Sequence, residues 1–222
     1  AWEGAARARA FALFGTINGL GLALGPTLCG LVTQAFGWRA AFWLPAIVLA
    51  ASLVASRGIP AVQVDHNGAR RLLDVSLLTN RRFAAMTLVP ITASVGFVTF
   101  LTYLPAAFSA IHGWSAGQAG VMMLVATLPV ILSPSATVAV MKRHQIGIGP
   151  VLAASIGCLL AGSVAMLALD PGVPVWAVAP ALVLIGLGFG LPLGVVDGEA
   201  LARVPSHSSG SAAGLLNFAR IG

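Results

Sequence analysis

The sequence predicts an all-α protein embedded in a membrane, and three observations lead to this fold class. Of the 222 residues, 58% are hydrophobic and only 8% are charged. A soluble domain carries about 25% charged residues, because its surface has to be solvated. Uncharged apolar stretches recur along the chain with lengths near the roughly 20 residues that a helix needs to cross a bilayer. The sequence also lacks the alternating apolar and polar strands of about ten residues that are typical of a transmembrane barrel.

Five of these apolar stretches are predicted to form six membrane-spanning helices, and a seventh helix begins near the end of the sequence. The longest of them is divided by residues 111–117 (IHGWSAG), which predict a short turn between two helices of a hairpin. The predicted spans lie between Arg9 and Arg39, at 40–56, at 83–141 as the hairpin, at 147–169 and at 175–196, with a further helix starting at Ser211.

The Lys and Arg residues fall almost entirely in alternate connections between the spans. Lys142 and Arg143 follow the fourth span, whereas the third and fourth spans are joined without any Lys or Arg. Basic residues are enriched in cytoplasmic loops, so loops 57–82, 142–146 and 197–210 are predicted to be cytoplasmic. We therefore attribute the net charge of +6 to topology and lipid contact, and expect no binding to nucleic acid.

The sequence offers no catalytic set and no cluster of metal ligands. Cys29 and Cys158 lie in apolar spans, where a cysteine usually acts as a small hydrophobic residue. Gly186, Gly188 and Gly190 are spaced as in a dinucleotide-binding loop, but they lie in a predicted span and follow no strand. We expect neither enzyme activity, nor a cofactor, nor a metal ion.

The first span carries closely spaced small residues and one proline. Gly21 and Gly25 form a small-xxx-small pattern, which lets two helix backbones approach closely in lipid. Pro26 removes a backbone hydrogen bond and bends or loosens the helix. Two interpretations are open, namely ordinary tight helix packing and a hinge or gate between helices.

Residues 21–30 (GLALGPTLCG) resemble the antiporter motif GxxxGPxxGG, which lies on the fifth helix of the major facilitator superfamily. Cys29 replaces the first glycine of the closing pair, and it is still a small residue. The motif is typical of exporters. The resemblance implies a gating or packing role for four residues, Gly21, Gly25, Pro26 and Gly30.

Other stretches resemble the drug:proton antiporter branch of that superfamily and occur in the same order along the chain. One departure is visible at 140–147 (VMKRHQIG), which keeps a basic pair and a glycine of the family's GxxxDRxG motif but lacks its Asp. The similar stretches are 7–10 (RARA), 36–45 (FGWRAAFWLP), 72–83 (LLDVSLLTNRRF), 113–120 (GWSAGQAG) and 213–220 (AGLLNFAR).

The resemblance implies a multidrug efflux transporter, of which this chain is a fragment holding helices 5–11 of a twelve-helix core. Residues 1–56 are then the last two helices of the N-terminal half, and 57–82 form the cytoplasmic central linker. Residues 83–222 form the C-terminal half, with helices 7–10 and the start of helix 11. The acids that carry protons in such transporters are expected outside this chain, in the first and fourth helices.

The function that this resemblance implies is secondary active export of small amphipathic compounds or drugs by alternating access, coupled to protons. The expected partners are the small-molecule substrate, protons and membrane lipid, and the protein is expected to be a monomer in the cell membrane. The alternative is a major-facilitator importer of a nutrient or metabolite.

Polar residues of the third span suggest a substrate cavity. Thr92, Thr99 and Tyr103 lie near one helical face, at positions i, i+7 and i+11. Either the threonine hydroxyls bond carbonyls of their own helix, or this face lines the cavity, as the family's seventh helix does. In the second case Phe100 and Tyr103 offer aromatic surface to an apolar or cationic compound.

Two residues near the end of the sequence join the candidate cavity on the same resemblance. Asn217 and Arg220 belong to the stretch that resembles the start of the eleventh helix. Arg220 enters a predicted span, and ionisable groups inside a membrane usually face protein or a water-filled cavity.

Overall fold

The computed structural model describes residues 17, 20, 21, 24–58, 81–196, 198 and 214, and every regular element in these ranges is helical. The first helix, α1, is continuous over residues 24–36. It ends at Gly37, whose φ of 82° lies in the left-handed region that favours glycine. The next helix, α2 (Trp38–Ser56), follows at once and has no buried residue.

The predicted hairpin is confirmed. Helix α3 (Arg81–His112) and helix α4 (Ala116–His144) are joined by residues 113–115, within the expected turn. Ser115 begins α4 with a capping box, in which its hydroxyl accepts from the backbone N–H of Gln118 at 3.3 Å. The Gln118 side-chain oxygen accepts from the N–H of Ser115 at 3.0 Å in return.

The remaining helices follow the predicted spans closely, with one interruption. Helix α5 (Ile148–Ala165) is extended by the 3₁₀ turn Met166–Ala168. A second 3₁₀ turn, Val175–Val178, leads into helix α6 (Ala179–Gly190). The sequence predicts a sixth span that continues to residue 196. The chain instead forms a turn at 191–194 and resumes helical structure at 195.

Four of the described helices are long and apolar enough to cross a bilayer. At about 1.5 Å per residue, even the shortest of them approaches the roughly 30 Å of hydrocarbon. A shorter apolar helix covers Val175–Gly190. The four candidate spans are Trp38–Ser56, Ile91–His112, Ala116–His144 and Ile148–Ala168.

The core of the described bundle lies between α3, α4, α5 and α6. Helix α6 packs most extensively on α4 and α5, because glycines on two of its faces admit their backbones. Gly186 and Gly190 face α4, and Gly188 faces α5. The ring of Phe189 stacks on that of Phe97 in α3, with centroids 4.4 Å apart and planes 13° apart.

Candidate functional site

The predicted antiporter motif brings α1 against the beginning of α4. A Cβ on Gly30 would lie 2.5 Å from the carbonyl oxygen of Ala116 and 3.2 Å from the Cα of Gly120. A Cβ on Gly120 would lie 3.1 Å from the carbonyl oxygen of Pro26 and 3.3 Å from the Cα of Thr27. We call this contact of Pro26, Thr27, Gly30, Ala116 and Gly120 the α1–α4 seam; only residues without bulky side chains permit it.

One buried hydrogen bond crosses the α1–α4 seam. The hydroxyl of Thr27, a buried residue, donates to the carbonyl oxygen of Gly120 at 2.9 Å. An interhelical hydrogen bond in a membrane contributes about 1 kcal/mol. The bond therefore fixes the register of α1 on α4 while remaining weak enough to break in a moving protein.

The polar end of the same contact lies at the start of α4. The hydroxyl of Ser115 donates to the side-chain oxygen of Gln34 at 3.3 Å. The side chain of Gln34 also covers Gly117, so that a Cβ there would collide with it. The C-terminal end of α1 and the N-terminal end of α4 therefore lie at the same end of the bundle, as the alternating loops require.

The four predicted motif residues differ in their surroundings. Pro26 and Gly30 lie in the α1–α4 seam, whereas a Cβ on Gly21 or Gly25 would meet nothing within 4 Å in the part of the chain that the structure describes. Proximity to α4 therefore accounts for the glycine at position 30, whereas Pro26 contributes its carbonyl oxygen to the contact.

Two grooves flank the α1–α4 seam, both open to the outside of the described bundle. One of about 480 Å³ runs between α1 and α4 and is mainly apolar. The other, of about 320 Å³, lies between α1, α3 and α4, and Cys29 and Ser109 contribute to its wall. The α1–α4 seam is thus a narrow contact with open space on either side in the described part of the chain.

Helix α3 has a buried face and an exposed face, and the exposed face mixes polar residues with Leu88 and Val95, which are 61% and 66% exposed. Phe97 and Phe108 point into the core, at 1% and 0% exposure. On the other side, Thr92, Thr99 and Tyr103 are exposed, Tyr103 by 68% of its surface. The structure thus places the three predicted residues together on one open face.

The hydroxyls on this face bond their own helix. Thr92 donates to the carbonyl oxygen of Leu88 at 3.0 Å, and Thr99 to that of Val95 at 2.6 Å. Both hydroxyl groups therefore donate to carbonyls of their own helix, which is the first of the two interpretations. Each hydroxyl oxygen can still accept a hydrogen bond from a ligand. Phe100 is half-buried and packs against the core, so it offers an edge rather than a free ring.

The charged residues of α4 lie at its far end, away from the α1–α4 seam. Asn217 and Arg220 lie outside the described residues. Lys142 and Arg143 are exposed in the last turn of α4, where cations interact favourably with the helix dipole. Within the described ranges, no three His, Cys, Asp or Glu side chains come together to hold a metal ion.

Sequence reasoning missed Thr27, Gln34, Ala116 and Gly120 as parts of one contact. Ala116 and Gly120 are four residues apart and form the same small-xxx-small pattern as the motif helix, so a signal for close packing was present. What the pattern does not contain is the identity of the opposing helix.

Comparison with known proteins gives one match. The family model of the Major Facilitator Superfamily matches residues 1–220, nearly the whole chain. None of the curated proteins matches, and none of the solved structures does. The match covers both α1, which belongs to the region resembling the antiporter motif, and α3.

Proposed function

Since the chain belongs to the major facilitator superfamily of membrane transporters, we propose that it is part of a secondary exporter of small amphipathic compounds. The transporter works by alternating access, in which two helical halves rock around a central site. The chain is a multi-pass membrane protein, and we place it in the cell membrane as a monomer, with loops 57–82, 142–146 and 197–210 on the cytoplasmic side.

The proposed division of the chain assigns α1 and α4 to different halves. Residues 1–56 form the end of the N-terminal half, 57–82 the central linker and 83–222 most of the C-terminal half. In this arrangement the α1–α4 seam is a contact between halves, and such a contact has to loosen and re-form in each transport cycle.

The observation that carries the proposal is the composition of the α1–α4 seam. Backbone meets backbone at Gly30 and Gly120, one hydrogen bond from Thr27 crosses the contact, and grooves open on both sides. A contact of this kind has little interlocking side-chain volume to disengage. It supports a gate, and the likeness of residues 21–30 to a motif typical of exporters supports export over import.

The exposed face of α3, which carries Thr92, Thr99 and Tyr103, is proposed as a wall of the substrate cavity. The Tyr103 ring is exposed and can pack on an apolar group or lie over a cationic one. The Thr92 and Thr99 oxygens can accept hydrogen bonds from a polar group of the substrate. A face with both properties suits an amphipathic compound, and Asn217 and Arg220 are proposed to complete it.

Proton coupling is proposed from the family resemblance. The described helices α1 to α6 contain no Asp or Glu, so the proton-binding acid has to come from elsewhere in the transporter. A carboxyl group in the membrane-spanning part of the first or fourth helix is the expected carrier.

The test is an accumulation assay with the intact gene and a fluorescent lipophilic cation. We expect cells that express the transporter to retain less dye than cells with an empty vector, and a protonophore to abolish the difference. Greater retention indicates an importer and contradicts export. Equal retention for a panel of amphipathic dyes indicates a membrane protein that does not transport such compounds.

A further inference from the structure

Helix α6 is interrupted within the apolar segment 175–196 that the sequence predicts to span the membrane. It ends at Gly190, and residues 191–194 form a turn that contains Pro192. Gly194 closes this turn with a φ of 76°, a left-handed conformation that glycine adopts readily. Helical bonding then resumes, with the N–H of Val196 donating to the carbonyl oxygen of Pro192 at 3.0 Å.

The interruption leaves the carbonyl oxygen of Gly188 without a donor from its own helix. Its regular partner is the N–H four residues later, but that residue is Pro192, which has none. The neighbouring donors are used elsewhere: the N–H of Leu191 makes its regular bond to the carbonyl oxygen of Leu187, at 2.9 Å, and the N–H of Leu193 donates to that of Gly190, at 3.1 Å. In lipid, an unsatisfied carbonyl is costly, so another donor is needed.

A side chain of the neighbouring helix supplies that donor. Ser155 of α5 is fully buried, and its hydroxyl donates to the carbonyl oxygen of Gly188 at 2.5 Å. The two helices come this close because residue 188 is a glycine. A Cβ there would lie 2.8 Å from the backbone nitrogen of Leu159 and 2.9 Å from the carbonyl oxygen of Ser155.

We propose that Ser155 is a positioning residue for the substrate cavity, and that it acts by replacing the N–H that Pro192 lacks. The bond fixes Gly188 on α5 at the point where α6 breaks. The next residue, Phe189, stacks on Phe97 of α3. The opposite face of α3 carries Thr99 and Tyr103, so the position of the proposed cavity wall depends on the Ser155 hydroxyl.

The consequence for transport rests on the proposed function, whereas the bond itself can be tested without it. The full transporter is studied as four forms: the unchanged protein, Ser155→Ala, Pro192→Ala and the double variant. Ser163→Ala is the matched control, because Ser163 lies on the same helix and its hydroxyl bonds only its own helix, at Leu159.

Hydrogen–deuterium exchange is measured at the amides of Leu191 and Leu193, which lie in the turn, and of Val196, which follows it. We expect Ser155→Ala to speed exchange about tenfold, because it leaves a buried carbonyl unsatisfied. In the Pro192→Ala background the same change has little effect, since the alanine introduced there has an N–H to donate to Gly188. Ser163→Ala leaves exchange unchanged.

Equal effects of Ser155→Ala in both backgrounds overturn the proposal, because the hydroxyl is then not a substitute for the proline's missing donor. The proposal is also overturned if Ser155→Ala changes the exchange rates no more than Ser163→Ala does. If the Pro192 variants do not insert, the comparison of the two serine variants decides alone.

The transport readout is the KM for the dye in proteoliposomes. Ser155→Ala is expected to raise KM several-fold with little change in kcat, and Pro192→Ala is expected to restore it. An unchanged KM contradicts the link to the cavity. If the exchange pattern is as expected but the unchanged protein transports no dye, the proposed function fails while the role of the bond stands.

Discussion

At Gly30 the close approach of α1 to α4 depends on a missing methyl group. The carbonyl oxygen of Ala116 occupies the space in which a Cβ would lie, and this oxygen belongs to a helix backbone that cannot swing aside as a side chain can. Gly120 plays the same part from the other side, against Pro26 and Thr27. The α1–α4 seam is therefore expected to tolerate little increase in side-chain volume.

Replacing Gly30 with alanine is expected to push α1 away from α4 and break the Thr27 bond. Overpacking of this kind costs about 1–3 kcal/mol. Gly157→Ala is the control, because a Cβ there meets nothing within 4 Å and alanine favours a helix. The unfolding temperature in detergent and the rate of dye export should both fall for Gly30→Ala alone. Equal values for the two variants would contradict a role of the α1–α4 seam in stability and export.

The residues of this contact were only partly predictable from the sequence. The motif includes Pro26 and Gly30, which lie in this contact, and the gating role that the resemblance implies for them stays a prediction. It did not identify Gly120 or the donor Thr27. Helical periodicity predicts which residues share a face, but it does not predict which helix packs against that face. Gly21 and Gly25 match the motif equally well, yet no described residue approaches them.

At the scale of elements, α3 combines two surfaces with different tasks. Its buried face anchors the bundle through Phe97 and Phe108, and its open face carries Thr99 and Tyr103. Substitutions on the two faces should therefore affect different properties of the protein.

Tyr103→Ala is expected to weaken substrate binding without destabilising the protein. Loss of an aromatic contact with a cation costs about 1 kcal/mol, or roughly fivefold in KM. Phe97→Ala is the contrasting variant, since it removes a fully packed ring and should cost about 3–5 kcal/mol of stability. Measuring KM and thermal unfolding for both decides the matter: a Tyr103→Ala protein with unchanged KM for every exported dye would contradict a cavity on this face.

The elements themselves were largely predictable, because charge-free length and turn residues leave few choices in a membrane protein. The hairpin turn at 113–115 falls inside the predicted 111–117, where Gly113 adopts a φ of 67°. Helix α3 begins at Arg81, two residues before its predicted start. The break after Gly190 could not be predicted from Pro192 alone. A proline removes one backbone hydrogen-bond donor, and the helix can either bend or end there.

Across the whole molecule, apolar side chains cover the outside of the described helices. Leu49 and Leu53 of α2 and Leu160 and Val164 of α5 are each more than 60% exposed. A soluble protein would aggregate through such a surface, whereas a membrane protein can expose it to lipid. The membrane environment could therefore be predicted from the scarcity of charge, whereas the packing of α1 on α4 depends on contacts between residues distant in sequence, such as Gly30 and Gly120.

The central claim is that the α1–α4 seam moves during export, and a reversible cross-link tests it most directly. A Cβ on Gly117 would lie 3.5 Å from that of Gln34, within the range of about 3.5–4.5 Å found in disulfides. The Gln34→Cys, Gly117→Cys protein, with Cys29 and Cys158 replaced by alanine, is compared with the two single variants in the dye assay. Oxidation is predicted to stop export by the double variant alone, and a reducing agent to restore it. Full export by the cross-linked protein would contradict the account.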